Sequence, residues 1–514
     1  MANLGFQRVY AILNAFDEIV CERVFWNGEH EATQSVESNR PLRDFDIICF
    51  SISFELDYLR IPALLESHGV LSWWEERSGR DPLVLAGGIA PSLNPEPIAP
   101  FVDAFLIGEF EDMAVNFVAV LPTLLDDDLS RETRLSRLME SVHGVYVPRF
   151  SHAVATVPAF CRHVEIAPMS KIITRDSVFS GMHLVETTRG CGQGCRFCAA
   201  GFAYRPPRRW PKEAVLSAIE HARENRAESI GLIGLESVDN ALLDDLMDFM
   251  MKGGFRLAFS SLRADKITQG FAALLSTSGT RTATIAAEAG SDRLRRVINK
   301  RLGEDEILTA ADTLLSAGIP NLKMYFMLGL PTEDDEDIED ACALIEKVRD
   351  IMLRCGRKKG GLGTLTVSFS TFVPKPFTPF ALEGQASLYV LKRRRELLRR
   401  RLKCLSNVRL QLDSLREARS QAILSRGDRR LAPAIYRSSK EGFNLEKAVK
   451  ATGVEVDKYI ENMVEKDAVF PWEHISPRVG KAYLMEEYKR AITQCETKEC
   501  LLMGCKRCGA CEDV

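Results

Sequence analysis

Hydrophobic positions along the chain fall into short, near-continuous runs separated by longer amphipathic stretches, an alternation that predicts strands flanked by helices. Near the N-terminus the runs are DIICFSIS (Asp46 to Ser53), PLVLAGG (Pro82 to Gly88) and AFLIGE (Ala104 to Glu109). LRIPALLESHGV, between the first two, carries helical spacing. Runs without polar alternation suit parallel strands buried on both faces, so residues 1–125 read as a doubly wound, Rossmann-like α/β unit. Residues 126–180 read as a linker, with acidic Asp126 to Asp128 and a strand pair near HGVYVPRF. From 181 to 385 the alternation is more regular, and MHLVETT, ESIGLIG, RLAFSSLR, TATIAAEAG, LKMYFMLG and TVSFSTFVP are the strand candidates. Six parallel strands with crossover helices predict an open sheet or a partial (β/α)6 TIM barrel, and either gathers ligands at the carboxyl ends of its strands. Residues 386–494 read as a charged helical extension and 495–514 as a cysteine-rich tail, with no internal repeat.

Composition sharpens this picture. A chain of 514 residues exceeds one ordinary domain, and 46% hydrophobic with 27% charged residues is the balance of a globular protein. The net charge of -4 argues against bulk attraction to nucleic acid. A local basic run, KRRRELLRRRLK from Lys392 to Lys403, reads as a solvated helix face whose arginine stems cover apolar surface, or alternatively as an RNA contact. No apolar run reaches the roughly 18 residues of a membrane span, and the N-terminus lacks a signal-peptide pattern. The expectation is a cytoplasmic protein with no membrane partner. Fourteen cysteines in a reducing compartment point to metal ligation wherever they cluster. Cys21, Cys49, Cys161, Cys342, Cys355 and Cys404 stand singly and read as small buried hydrophobes.

The densest chemistry lies in ETTRGCGQGCRFCAAGFAYRPPR, just after the first strand of the second unit. Cys191-x3-Cys195-x2-Cys198 supplies three thiolates on one short loop, which suits tetrahedral iron and leaves one iron of a cubane cluster without a protein ligand. Gly190, Gly192 and Gly194 let the loop wrap a bulky group. A zinc knuckle or a set of buried thiols is the alternative, though zinc wants a fourth local ligand.

These residues resemble the radical S-adenosylmethionine superfamily. The resemblance implies that Cys191, Cys195 and Cys198 hold a [4Fe–4S] cluster whose open iron chelates the methionine portion of S-adenosylmethionine, and that reduction yields a 5′-deoxyadenosyl radical. It places Phe197 near the adenine, and Glu288, Gly290 and Ser291 of Glu-Ala-Gly-Ser near the ribose and methionine. It also places Gly329 and Pro331 of Gly-Leu-Pro at an adenine-side turn, although such a turn is common as pure structure. Ser260, Ser261 and Arg263 end another strand, where arginine could pair with the cofactor carboxylate. Glu236 is a poor match to the family's Gly-Gly-Glu and equally reads as a solvent-facing strand end.

The N-terminal unit resembles the cobalamin-binding domain that precedes many proteins of this superfamily, in its uncharacterised subgroup. By that resemblance Gly87, Gly88 and Gly108, with the loop through Pro91, Asn94, Pro95 and Pro97, would lie over a corrin. There is no Asp-x-His-x-x-Gly motif, His68 reads as a surface or capping residue, and MANLGFQRVY resembles the helix after the family's first strand, which itself is missing. The domain therefore reads as either cobalamin-binding or a relict fold.

In the tail, Cys495, Cys500, Cys505, Cys508 and Cys511 exceed the four ligands one centre needs, and the Cys-x2-Cys-x2-Cys run resembles ferredoxin ligation. The expected ligands are Cys500, Cys505, Cys508 and Cys511, for a second [4Fe–4S] cluster or zinc, with a redox-labile tail as the third reading. The functional expectation is radical modification of a substrate carbon, cobalamin-dependent methylation included, served by a flavodoxin- or ferredoxin-type reductant. Methylthiolation is disfavoured by the absence of an N-terminal domain with its own three-cysteine cluster. The competing class is a cluster-bearing electron-transfer or binding module that keeps the fold without radical chemistry.

Overall fold

The computed structural model describes residues 3–26, 34–150, 155–234, 255–259, 262–442, 444–464, 468–500 and 505–511. The chain forms two compact units interleaved in sequence: residues 1–162, 374–377 and 419–478 in one, and 163–373, 378–418 and 479–514 in the other.

In the first unit, β1 (Ile47–Ser51), β2 (Leu83–Gly87) and β3 (Ala104–Leu106) are parallel, and β4 (Val145–Tyr146) pairs antiparallel with β3. Leu83, Leu85 and Ala104 bury one core with Phe117, Leu124, Leu135 and Leu138 of the helices that follow. Asp103, fully buried at the start of β3, is gripped by Arg131 (2.6 Å) and stands 3.6 Å from Arg77. Burial opposes its ionisation, but Arg77 and Arg131 outweigh burial and hold the carboxyl below the usual range. The apolar runs of β2 and β3 appear as the buried strands expected of them, whereas in β1, at the sheet's edge, only Ile48 is buried. His68, read as a surface or capping residue, lies buried at the C-cap of the helix Ile61–Ser67, where its Nδ1 accepts from the Leu42 amide at 3.2 Å.

Residues 419–478 return to this unit. The Asn94 side-chain amide donates to the carbonyls of Ser425 (3.1 Å) and Gly427 (2.8 Å), and Arg429 reaches Glu96 (2.6 Å) and the Tyr146 hydroxyl (2.6 Å). Sequence reading assigned 386–494 to one helical extension; the structure divides it, because these polar groups find their partners beside β2 and β4.

In the second unit β5 (Met182–Glu186) leads into a two-residue antiparallel ribbon, β6 (Thr188–Arg189) with β7 (Arg208–Arg209). β8 (Ser229–Ile233) and β9 (Arg256–Phe259) follow beside β5, all parallel. β10 (Thr282–Glu288), β11 (Asn321–Leu328), β12 (Leu365–Thr371) and β13 (Val408–Leu412) make a second parallel stretch. Leu262 joins the two, its amide donating to the Thr284 carbonyl at 2.9 Å. The result is an open, barrel-like series in sequence order. Among the described residues it has one parallel strand more than expected: β13 lies within the stretch read as helical, where VRLQL alternates too briefly to outweigh its charged surroundings.

Helices cover this sheet because their apolar stripes have nowhere else to go. Ala310, Leu314, Ile345 and Val348 share a core with Ile285, Met324 and Val367. The helix Asp335–Lys359 starts at a capping box, with Asp334 accepting from the Asp337 amide, and stops at Gly360 (φ 73°). On the basic helix Leu388–Leu402, Arg394 and Arg395 are buried. Arg394 meets Glu333 (2.6 Å), Arg393 meets Asp335 (2.7 Å) and Arg401 meets Glu339 (3.1 Å). The other basic residues of the run are exposed, so it is a solvated helix face with two buried arginines and surface ion pairs. Of the single cysteines, Cys161, Cys342 and Cys355 are buried as expected, whereas Cys49 and Cys404 are exposed. Among the described residues no helix is long and apolar enough to cross a membrane.

Candidate active site at the cysteine loop

The ribbon β6–β7 pinches off residues 190–207 as a closed excursion at the carboxyl end of β5. Its base is fixed by Glu186, which accepts from the Trp210 indole at 3.1 Å and pairs with Arg189 at 2.8 Å. Gly190 turns the loop at φ 79°, where a Cβ would fall 2.4 Å from the Tyr204 carbonyl oxygen, so no other residue fits. The Arg196 amide donates to the Ile298 carbonyl at 3.0 Å and the Cys198 amide to the Cys195 carbonyl at 3.0 Å. Burial, reinforced by the neighbouring Cys195, pushes the Cys198 thiol up to about 11. A free thiol here stays protonated at neutral pH, and only a bound cationic centre would draw the proton off.

The other strand-end motifs meet this loop. Phe197 packs against a cluster containing Ala289 of Glu-Ala-Gly-Ser and Leu330 of Gly-Leu-Pro. At the end of β10 the ladder shifts register between Ala286 and Glu288, and Glu288 adopts φ 66°, a left-handed conformation that L side chains rarely hold. Its carboxylate pairs with Lys300 at 3.1 Å, and both groups lie near enough to act on the Cys198 thiol. Arg263 donates to Asp265 at 2.9 Å and to the Lys300 carbonyl at 3.4 Å, which brings it to the same rim.

Other expected residues face elsewhere. A Cβ on Gly290 would fall 2.3 Å from the Ala341 nitrogen, so this glycine lets the helix Asp335–Lys359 approach. The Ser291 hydroxyl caps the helix Asp292–Val297, accepting from the Leu294 amide at 3.0 Å, and donates to Asp337. Gly329 turns at φ 83° with its amide on Glu333 (2.7 Å), and Pro331 is buried beside it. Glu236, Ser260 and Ser261 lie outside the described residues.

Several groups that hold the site carried no sequence signal. Arg196, fully buried between two of the cysteines, donates to Glu487 (3.1 Å), to the carbonyls of Val297 (2.9 Å) and Cys495 (2.7 Å), and to others nearby. Asn299, at φ 54°, donates to the Gly194 carbonyl (3.1 Å) and accepts from the Thr497 amide (2.8 Å). The only sequence hint for Asn299 and Lys300 was a polar run directly after a capped helix.

The donor set fits a cluster with one open iron, since three thiols sit on a glycine-turned loop with a carboxylate and an ammonium group beside the buried one. Among the described residues no three Cys, His, Asp or Glu side chains already stand as a ready-made ligating set, in this loop or in the tail. In the first unit the glycines expected over a corrin pack against the unit's own backbone. A Cβ on Gly88 (φ 105°) would lie 2.4 Å from the Ile52 oxygen, and one on Gly108 (φ 110°) 2.4 Å from the Ala159 backbone. One on Gly87 would lie 3.2 Å from the Leu106 oxygen. These glycines serve the unit's own close packing, and Asn94, Pro95 and Pro97 are buried beneath residues of the returning segment.

The sequence matches the family described as radical SAM proteins, N-terminal, over residues 5–148, and the radical SAM superfamily over residues 185–345. It is 28% identical over 445 residues to an uncharacterised protein of Methanocaldococcus jannaschii, covering 86% of this chain and 90% of that one. It is 27% identical over 177 residues to the tRNA-2-methylthio-N(6)-dimethylallyladenosine synthase of Chlorobium phaeovibrioides, spanning 39% of that protein and 32% of this one. Among solved structures it is similar to the cobalamin-dependent S-adenosylmethionine radical enzyme OxsB, at TM-score 0.44 and 17% identity over 61% of this chain and 47% of that one.

Proposed function

The chain belongs to the radical S-adenosylmethionine superfamily, and from that premise we propose that it cleaves S-adenosylmethionine reductively to start radical modification of a substrate carbon. Cys191, Cys195 and Cys198 would hold a [4Fe–4S] cluster. The observation that carries this reading is the meeting of three separate strand-end motifs: Phe197 touches the cluster of Ala289 and Leu330, while the Glu288–Lys300 pair stands beside Cys198.

When bound, the cluster and cofactor supply one-electron cleavage of a carbon–sulfur bond. The residues of the chain bind and orient. Glu288 would accept from the methionine amino group or the ribose, and Lys300 and Arg263 would face the methionine carboxylate. Phe197 and the turn Gly329-Leu330-Pro331 would wall the adenine. The apolar cluster around Phe197 would exclude water, which protects a reactive intermediate from quenching. The electron would come from a flavodoxin- or ferredoxin-type donor.

Reduced, reconstituted protein incubated with S-adenosylmethionine is expected to form 5′-deoxyadenosine and methionine beyond a Cys198→Ala control. No product under several reductants, with the cluster intact by absorbance, would replace this reading with a cluster-bearing module lacking radical chemistry. The first unit uses its glycines and buried loop for its own packing, so the proposed chemistry needs no cobalamin. Anaerobic purification with added cobalamin is expected to yield protein without corrin absorbance; stoichiometric retention would overturn that part and restore methyl transfer.

A further inference from the structure

The tail lies along the cysteine loop almost residue for residue. The Cys500 amide donates to the Gly192 carbonyl at 2.8 Å, and the Gln193 side chain reaches Glu499 at 3.3 Å. Asn299 links Gly194 to Thr497, and Arg196 holds the Cys495 carbonyl. Beyond this seam lie Cys500, Cys505, Cys508 and Cys511. Cys508 is buried in an apolar cluster with Phe202, Val479 and Ala510, and its carbonyl accepts from the Gly480 amide at 2.9 Å. Cys511 completes the run three positions after Cys508.

One pocket is walled by Cys500, Cys505 and Cys508 together with Gly194, which belongs to the first cysteine loop. Arg205 reaches Cys508 and the Tyr483 hydroxyl, and Arg507 donates to the Cys505 sulfur at 3.4 Å. Two guanidiniums therefore face sulfurs that ionise on binding metal. Cys495 stands apart, exposed, with its thiol on the Thr493 carbonyl. Three of the five tail cysteines, Cys500, Cys505 and Cys508, thus line one pocket, and Cys511 follows in the same Cys-x2-Cys-x2-Cys run. That run is the ferredoxin pattern, whereas structural zinc commonly draws on two separated pairs. Hydrogen bonds and positive charge at the sulfurs tune a cluster's potential.

We propose that Cys500, Cys505, Cys508 and Cys511 hold a second [4Fe–4S] cluster, fully protein-ligated, that relays electrons to the cluster of Cys191, Cys195 and Cys198. In each transfer a low-potential one-electron donor of the flavodoxin or ferredoxin class is oxidised as the tail cluster is reduced. The tail cluster is then reoxidised as the first is reduced, with no bond or proton moved. The relay rests on the proposed cofactor cleavage; the metal site does not.

The test uses the full chain. A triple Cys191→Ala, Cys195→Ala, Cys198→Ala variant, reconstituted anaerobically with iron and sulfide, is expected to hold about four irons per chain and to give an electron paramagnetic resonance signal on reduction. Adding Cys505→Ser and Cys511→Ser should abolish both, while adding Cys495→Ser should leave both. Cys508 is left intact because it is buried in the fold. Zinc without iron in the triple variant, or iron unmoved by the two serines, overturns the site. For the relay, Cys505→Ser/Cys511→Ser on the otherwise native chain should keep cleavage driven by titanium(III) citrate. Cleavage driven by reduced flavodoxin should fall about tenfold or more. An equal effect with both reductants overturns the relay and leaves the site standing.

Discussion

Replacing Arg196 by methionine tests whether one buried guanidinium holds the cysteine loop to its surroundings. Arg196 donates to the Glu487 carboxylate at 3.1 Å and to the carbonyls of Arg296 (3.0 Å), Val297 (2.9 Å) and Cys495 (2.7 Å). Methionine keeps much of the stem's volume but leaves the Glu487 carboxylate buried, with the Thr497 hydroxyl at 2.7 Å as its remaining donor. Removing one partner of a buried ion pair costs about 3–5 kcal/mol, roughly a 150- to 4,000-fold change in the local opening equilibrium. Native-state hydrogen exchange on the metal-free chain reads this directly. The amides of position 196, Cys198 and Cys500 should exchange faster by that factor, while those of β11 and β12 stay near their original rates. A second variant, Arg196→Met with Glu487→Leu, removes the orphaned charge and should recover most of the loss. A change below about tenfold in the single variant, or a double variant no better than the single, would refute the argument.

Further outcomes follow from the same geometry. Lys300→Met should weaken S-adenosylmethionine binding to the reconstituted protein by about 10- to 150-fold, the worth of a charge-assisted hydrogen bond of roughly 1.5–3 kcal/mol, measured by equilibrium binding. Burial pushes the Glu333 carboxyl up from 4.5 to about 7 against the opposing pull of Arg394. Because the folded state then holds the proton more tightly, this group's contribution is full below about pH 4.5 and is lost as pH rises through about 7. Glu333→Gln should flatten the fall in thermal midpoint across that window; an unchanged slope would sink the assignment. Gly290→Ala forces a methyl to 2.3 Å from the Ala341 nitrogen and should destabilise by about 1–3 kcal/mol in thermal melts. Gly361→Ala, with nothing within 4 Å, should be neutral or slightly stabilising. Replacing Lys392, Arg400 and Lys403 on the basic helix should leave any RNA association flat with salt, because other arginines of the run already face carboxylates.

The features legible beforehand were local ones. Apolar runs near Leu85, Val185, Ile285 and Val367 announced their strands because a residue buried on both faces of a sheet must be apolar wherever the sheet closes. Cys191, Cys195 and Cys198 were legible because a three-ligand loop is set by spacing within eight residues. Glu288 was legible through the resemblance of Glu-Ala-Gly-Ser to a family motif, but its strained backbone and its pairing with Lys300 were not. Gly88 and Gly108 looked like cofactor glycines; a sequence shows that a backbone must turn tightly without showing what presses against it.

By itself, then, the sequence determined where the strands fall, the thiolate loop and the chemistry three such ligands suit, since these depend on periodicity and short-range spacing. Tertiary structure alone decided that Arg196 would find Glu487, 291 positions away, that residues 419–478 would return to the first unit, and that Cys500 would dock on Gly192. Each of these joins a buried polar group to a partner far along the chain. Burial creates the demand for a partner, but only the closed fold selects which distant group satisfies it.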